Sequence, residues 1–264
     1  MQTALTFIIP VRHPQNAPDW GLVKRNLAET IRSIAGQEDR SWQAVIIANE
    51  GADLPTVPNG FLVERVNFPP NPLFVQGSAD KDTFHEGIRL DKGRRILAGI
   101  LHAGAMGHMM VVDDDDFVHR KLTTLVVENS DKNGWYFRRG FVWNDGGKLL
   151  YLASNFSQLC GTSHIIRSDL LQLPPTMESA SDDYIKRMLG SHVMIDRILM
   201  DRGTALEPLP LPGAIYRVAH QGSVSRSRGI FRQFFRSKNP VTLLKNATRL
   251  RFLSKSVQRD FFGK

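Results

Sequence analysis

Four consecutive aspartates, Asp113 to Asp116, are the densest cluster of potential metal ligands in the chain. Adjacent carboxylates repel one another, and without a cation some must take up protons. Hard oxygen ligands in this number suit Mg²⁺ or Mn²⁺, and Mg²⁺ is usually held by one or two carboxylates together with substrate phosphates. The run therefore points to a divalent ion and a phosphorylated ligand. The alternative is an acidic, solvated turn. Against it, the apolar residues Met109-Met110-Val111-Val112 precede the run and Phe117 follows it, so buried sequence flanks the carboxylates. Arg94 and Arg95, a short way upstream, could simply form the solvated face of a helix. Cys160 is the only cysteine, which excludes a disulfide framework or a cysteine-based zinc site.

The elements that must position these groups show as periodic segments. Residues 4–11, ALTFIIPV, form a short apolar run expected as a buried strand. Asp19 is placed to cap a helix with Val23, Leu27, Ile31 and Ile34 on one face and Gly36 as its stop. WQAVIIAN (42–49) and FLVERV (61–66) read as two further strands, giving a βαββ order and an open α/β sheet. Residues 67–87 contain three prolines and no clean period, and are expected to be a functional loop. Asp91 is expected to cap a helix through Ala105, leading into the strand HMMVVD (108–113). The aspartates begin where that strand ends, which is where ligands sit in open α/β sheets. A helix near 119–129 follows. WYFRRGFVWN (135–144) and KLLYLAS (148–154) then read as a hairpin, with helical segments around 168–173 and 182–202 and short strands in ALEPLPL and AIYRVAH.

This ordered combination resembles the GT-A glycosyltransferases, above all their family-2-like group. It consists of a first strand ending in Pro10-Val11-Arg12-His13, a Lys92-Gly93-Arg94-Arg95-Ile96-Leu97-Ala98 helix, and a strand ending in Asp-x-Asp-Asp. The resemblance implies an α/β, Rossmann-like mixed sheet flanked by helices, to which the charge pattern adds a basic C-terminal helical tail. It implies a transferase that moves a sugar from a nucleotide-sugar donor, UDP-sugar favoured, to a saccharide or lipid-linked saccharide hydroxyl, with Mn²⁺ or Mg²⁺ and with inversion. Pro10, Val11, Arg12, Asn49 and Glu50 would form the base and ribose pocket, although the family usually has Asp where Asn49 or Glu50 stands. Lys92 or Arg95 would contact donor phosphates. Asp113 would reach ribose or metal and Asp115 would ligate the metal directly, with Asp116 a third carboxylate and Asp114 an outward-facing spacer within the donor site. The acceptor base would be Asp183, slightly favoured, or His192. His220, in a segment like one that folds over donor phosphate, would ligate metal or bind diphosphate, against the commoner surface histidine. His164 is either near the acceptor or a core histidine. Trp135, Tyr136 and Trp143 could stack on sugar or simply pack.

Charge divides the chain. Residues 226–264 hold eleven Lys/Arg and one acid, leaving 23 basic and 25 acidic side chains on residues 1–225, so the formal +8 belongs to the tail. We expect a catalytic domain over 1–225 and a basic amphipathic tail over 226–264, with Leu243, Ala247, Leu250 and Val257 as an imperfect helical stripe. Such a tail suits an anionic surface, either membrane lipid headgroups or polyphosphate. It carries no nucleic-acid motif, and no nucleic-acid partner is expected. The N-terminus has no basic region before its apolar run, and no stretch reaches spanning length. An unprocessed cytoplasmic protein, peripheral at the inner face of the membrane, is the expectation. Two rival functions are a sugar-nucleotide nucleotidyltransferase, which needs a glycine-rich loop where Val11-Arg12-His13-Pro14 stands, and a non-catalytic module binding anionic surfaces.

Overall fold

A computed structural model describes residues 3–74, 80–104, 106–219 and 229–263. Alternation along β1 (Leu5–Pro10) sets the two faces of the main sheet. Leu5, Phe7 and Ile9 cluster with Val23, Leu27, Ile31 and Ile34 of α1 (Trp20–Ala35). Ile8 clusters instead with Ile96, Leu97 and Ile100 of α2 (Lys81–Ala103), so the helices cover opposite faces. The Asp19 carboxylate caps α1 by accepting from the Leu22 N–H, and Gly36 ends it, as the residue types require.

Parallel strands β4 (His108–Val111), β1, β2 (Trp42–Asn49) and β3 (Phe61–Val66) form the core of this sheet. β9 (His164–Arg167) joins β4 antiparallel, and β6 (Gly134–Tyr136) and β10 (Glu207–Pro208) complete the order β10-β6-β9-β4-β1-β2-β3. The chain runs from β1 to β2 and β3 on one side, then returns through α2 to β4 on the other. The order therefore reverses between β1 and β4, where a crevice opens at the strand carboxyl ends. A second sheet has the order β12-β8-β7-β11-β5, from β5 (Phe117–Val118), β7 (Gly140–Asn144), β8 (Leu149–Ala153), β11 (Ala214–Val218) and β12 (Leu250–Phe252). The remaining helices are α3 (Leu122–Glu128), α4 (Asp182–Tyr184), which runs into a π-helical turn Ile185–Leu189, α5 (His192–Asp201), α6 (Ile230–Phe234), α7 (Pro240–Ala247) and α8 (Lys255–Phe261). The fold is thus α/β, with two mixed sheets flanked by helices.

Four local expectations are corrected. Asp91 does not cap α2: Asp80 does, accepting from the N–H groups of Asp82 and Thr83, so the last third of the expected loop, residues 81–87, is helix. The 135–144 segment is not one strand. The adjacent exposed Arg138 and Arg139 break its alternation, and β6 and β7 join different sheets. The 182–202 helix is interrupted at Gly190-Ser191, where Gly190 lies so close to the Arg89 backbone carbonyl that no side chain fits. The stripe Leu243, Ala247, Leu250 and Val257 falls on three elements rather than one helix: α7, β12 and α8. β12 pairs antiparallel with β8, and Phe261 and Phe262 bury against Phe117, Phe141 and Trp143. Among the described residues, no helix is long and apolar enough to cross a membrane.

Candidate active site

A cavity of about 490 Å³ opens at the crevice between the ends of β1 and β4. Pro10 and Arg12 line it from the end of β1, and Asp113, Asp114 and Asp115 from the turn after β4. α2 supplies one wall. Phe84, Ile88, Asp91, Lys92 and Arg95 all face the cavity, and their spacing of four, three, one and three residues is one stripe of a helix. His192, at the start of α5, and Tyr216 of β11 complete the enclosure.

The aspartates divide by burial. Asp113 and Asp115 are partly exposed, whereas Asp114 and Asp116 are buried. The Lys92 Nζ donates to Asp113 Oδ1. Burial works to lower the Lys92 pKa, but the Asp113 carboxylate outweighs it and holds the ammonium above its ordinary value. Gly161 makes room for this pair, since a Cβ there would stand 2.8 Å from both Asp113 Oδ2 and Lys92 Nζ. The Thr162 hydroxyl accepts from the Asp113 N–H at 2.9 Å and donates to Asp116 Oδ2 at 2.6 Å.

Asp116 is turned into the protein. Its carboxylate also accepts from Cys160 Sγ at 3.1 Å and from the Arg217 N–H at 3.1 Å, so it braces the turn and does not line the cavity. Burial, then the charges of Asp115 and Asp113, raise its pKa well above the usual carboxylate range. Asp114 is not the outward-facing spacer expected of it. It is buried, with Oδ1 3.6 Å from the Arg12 guanidinium.

The other expected residues separate into four groups. Arg95 lines the cavity at 1% exposure. Its guanidinium donates to Asn49 Oδ1 at 2.8 Å and to the Asp91 carboxylate at 3.2 and 3.3 Å. Asn49 therefore contributes by orienting Arg95 rather than by lining the cavity, and its amide donates to the Phe68 carbonyl at 2.7 Å. Val11 is core and Glu50 is exposed, and neither lines the cavity. His220 lies outside the described residues.

Of the two expected bases, His192 lines the cavity and Asp183 does not. The Asp183 side chain is 76% exposed and pairs with Arg187 at 3.5 Å on the outer surface. Burial, then the positive charge of Lys92, lowers the His192 pKa to about 4, so the imidazole is neutral near pH 7 with a lone pair available. His164 is the hydrogen-bonded core histidine, with Nε2 2.9 Å from Asp196 Oδ1 and Nδ1 3.1 Å from Ser163 Oγ. Trp135 and Trp143 are packed in the interior.

Sequence reasoning missed Asp91, Gly161 and Tyr216, and the contribution of Phe84 and Ile88. Helical spacing from Phe84 to Arg95 was a readable signal for the α2 wall, as was the i, i+4 pair of Asp91 and Arg95. No local signal marks Gly161 or Tyr216, whose places depend on distant segments.

Among the described residues, no group of three or more His, Cys, Asp or Glu side chains is arranged to hold a metal ion. The accessible donor set is the two carboxylates of Asp113 and Asp115. Hard oxygens in that number fit an ion that completes its coordination with water and substrate phosphate.

No protein-family model and no curated protein matches the chain. Among solved structures, 51 chains match. One is TarS of S. aureus, with 11% identity and a TM-score of 0.41 over 81% of this chain and 37% of that one. The chain thus spans 37% of the length of that structure.

Proposed function

We propose that the protein is a glycosyltransferase that takes its sugar from a nucleotide-sugar donor, with the donor diphosphate held in the cavity between β1 and β4. The observation that carries this reading is the meeting of Asp113 and Asp115 with Lys92, Arg12 and Arg95 around one cavity at the strand-order reversal. A nucleoside diphosphate leaving group accumulates negative charge, and fixed cations that already surround its position stabilise that charge without reorganising.

Asp113 and Asp115 would hold Mn²⁺ or Mg²⁺, which when bound neutralises diphosphate charge as a Lewis acid. Lys92, held by Asp113, and Arg95, held by Asn49 and Asp91, bind and orient the phosphates. His192 accepts the proton of the acceptor hydroxyl as that oxygen attacks the anomeric carbon and the carbon–phosphate oxygen bond breaks. Attack from the side opposite the leaving group inverts the anomeric centre. The acceptor would be a saccharide or lipid-linked saccharide whose hydroxyl reaches His192.

A thermal-shift screen of UDP-, GDP-, CMP- and dTDP-sugars, each with and without Mn²⁺, tests this reading, because a ligand of the native state raises the midpoint by mass action. UDP-sugar with Mn²⁺ is expected to give the largest shift, and Asp115→Ala to abolish it. If no nucleotide sugar moves the midpoint, the transferase reading is wrong.

A further inference from the structure

We propose that residues 230–255 form a membrane-docking face that seats the protein on anionic lipid. Four large apolar side chains stand out from this stretch: Phe231 is 55% exposed, Val241 73%, Leu244 69% and Phe252 78%. Leaving such groups in water is unfavourable. Val241 and Leu244 are three residues apart on α7 and so share a helix face. Lys245, four residues beyond Val241, lies on that face as well.

Cations share the stretch with these side chains. Arg232, Arg236, Lys238, Lys245, Arg249, Arg251 and Lys255 fall within the stretch, which contains no acid. Among the described residues none of the seven pairs with a carboxylate, whereas Arg259, just beyond, meets Asp260 at 3.4 Å. The face thus offers positive charge that no carboxylate among the described residues neutralises.

The face is also held in place. β12 pairs with β8, Tyr151 of β8 stacks on Phe234 of α6 with centroids 3.9 Å apart, and the Tyr151 hydroxyl donates to Asn246 Oδ1 of α7 at 2.9 Å. An apolar and basic surface on a fixed platform loses little conformational freedom when it docks. A nucleic acid or soluble polyanion would reward the cations but not the exposed Val241 and Leu244. A bilayer with anionic headgroups rewards both, since aliphatic and aromatic groups enter the acyl boundary while Lys and Arg remain among the phosphates. Tyr216 of the cavity lies on β11, three strands from β12 in the same sheet, roughly 14 Å at the usual strand spacing. Docking would therefore hold the cavity near the bilayer without using any of its residues.

The test is co-sedimentation of the full chain with vesicles of phosphatidylcholine alone and with 30 mol% phosphatidylglycerol added, at two ionic strengths. Binding is expected only to the anionic vesicles, weakening as salt rises. Val241→Ser with Leu244→Ser is expected to weaken it at least about tenfold, and Lys238→Ser with Lys245→Ser roughly ten- to thirtyfold. These side chains are exposed, so both variants should keep the wild-type melting temperature and nucleotide-sugar response. Failure to bind, equal binding to neutral vesicles, or wild-type binding by the apolar variant would each overturn the proposal. A dimer in sedimentation velocity that the apolar variant abolishes, without vesicle binding, would instead make this face a contact between copies of the chain.

Discussion

Gly161→Ala separates a role in the site from a role in the fold. A methyl at this position would stand 2.8 Å from Asp113 Oδ2 and from Lys92 Nζ, about 0.6 Å inside an ordinary 3.4 Å contact. Both atoms are ends of side chains and can move apart. If the Lys92–Asp113 separation grows from about 3 to about 4 Å at an effective dielectric of about 20, the Coulomb attraction falls by about 1.4 kcal/mol. The two side chains are 25% and 29% exposed, so solvent screening brings the net cost to stability below about 1 kcal/mol. The donor site suffers more, since its first carboxylate and its phosphate-facing cation are both displaced, and misplacement approaching 1 Å costs up to about 10²-fold where geometry must be met. Gly93→Ala is the contrast. Its Cβ would meet the Ile185 backbone carbonyl at 2.5 Å, which cannot swing aside, so α2 and the π-helical turn must separate at about 1–3 kcal/mol. Isothermal titration with UDP and Mn²⁺, alongside thermal melts, distinguishes them. Gly161→Ala should bind about tenfold more weakly with a nearly unchanged melting temperature, and Gly93→Ala should lose several degrees. Wild-type UDP affinity in Gly161→Ala, with a melt as low as that of Gly93→Ala, would refute the reasoning.

Other outcomes follow from the same geometry. Asp115→Ala removes a negative charge that acts on buried Asp116, so the melting temperature should hold or rise slightly while Mn²⁺-dependent nucleotide binding is lost. The His192 pKa is depressed in the folded state from 6.5 to about 4, so its contribution is present above pH 6.5 and is lost as pH falls toward 4. His192→Gln should therefore flatten the decline in stability between those values, by up to roughly 3 kcal/mol, and abolish sugar transfer while leaving UDP affinity intact. Phe262→Ala should cost about 3–5 kcal/mol by chemical denaturation, because the ring packs 4.3 Å from Phe117 and 5.5 Å from Trp143. For the same reason, deleting residues 226–264 removes β12 and two buried phenylalanines beside the residue that follows Asp116, so it is not the neutral truncation that charge alone suggests.

The sequence by itself determined the parts whose signals are local. The apolar runs of β1, β2 and β4, the Asp19 cap and Gly36 stop of α1, and the place of Asp113–Asp116 at a strand end all come from neighbours in the chain. α2 was only half legible. Its cap lies at Asp80, beyond an irregular proline-rich stretch, and beside its apolar sheet-facing stripe runs a second, cavity-facing one that mixes Phe84 and Ile88 with Asp91, Lys92 and Arg95, so no single clean period marks the helix. Only the tertiary structure decided how the aspartates divide their work. Thr162, Cys160 and the Arg217 backbone come from distant segments to claim Asp116, and Arg12 meets the buried Asp114, leaving Asp113 and Asp115 as the more exposed carboxylates of the cavity. It likewise placed His192 at the cavity and Asp183 outside it. Four like residues in a row carry the same local preferences, and they become different only when long-range packing gives some of them buried donors and others a wall of solvent-facing space.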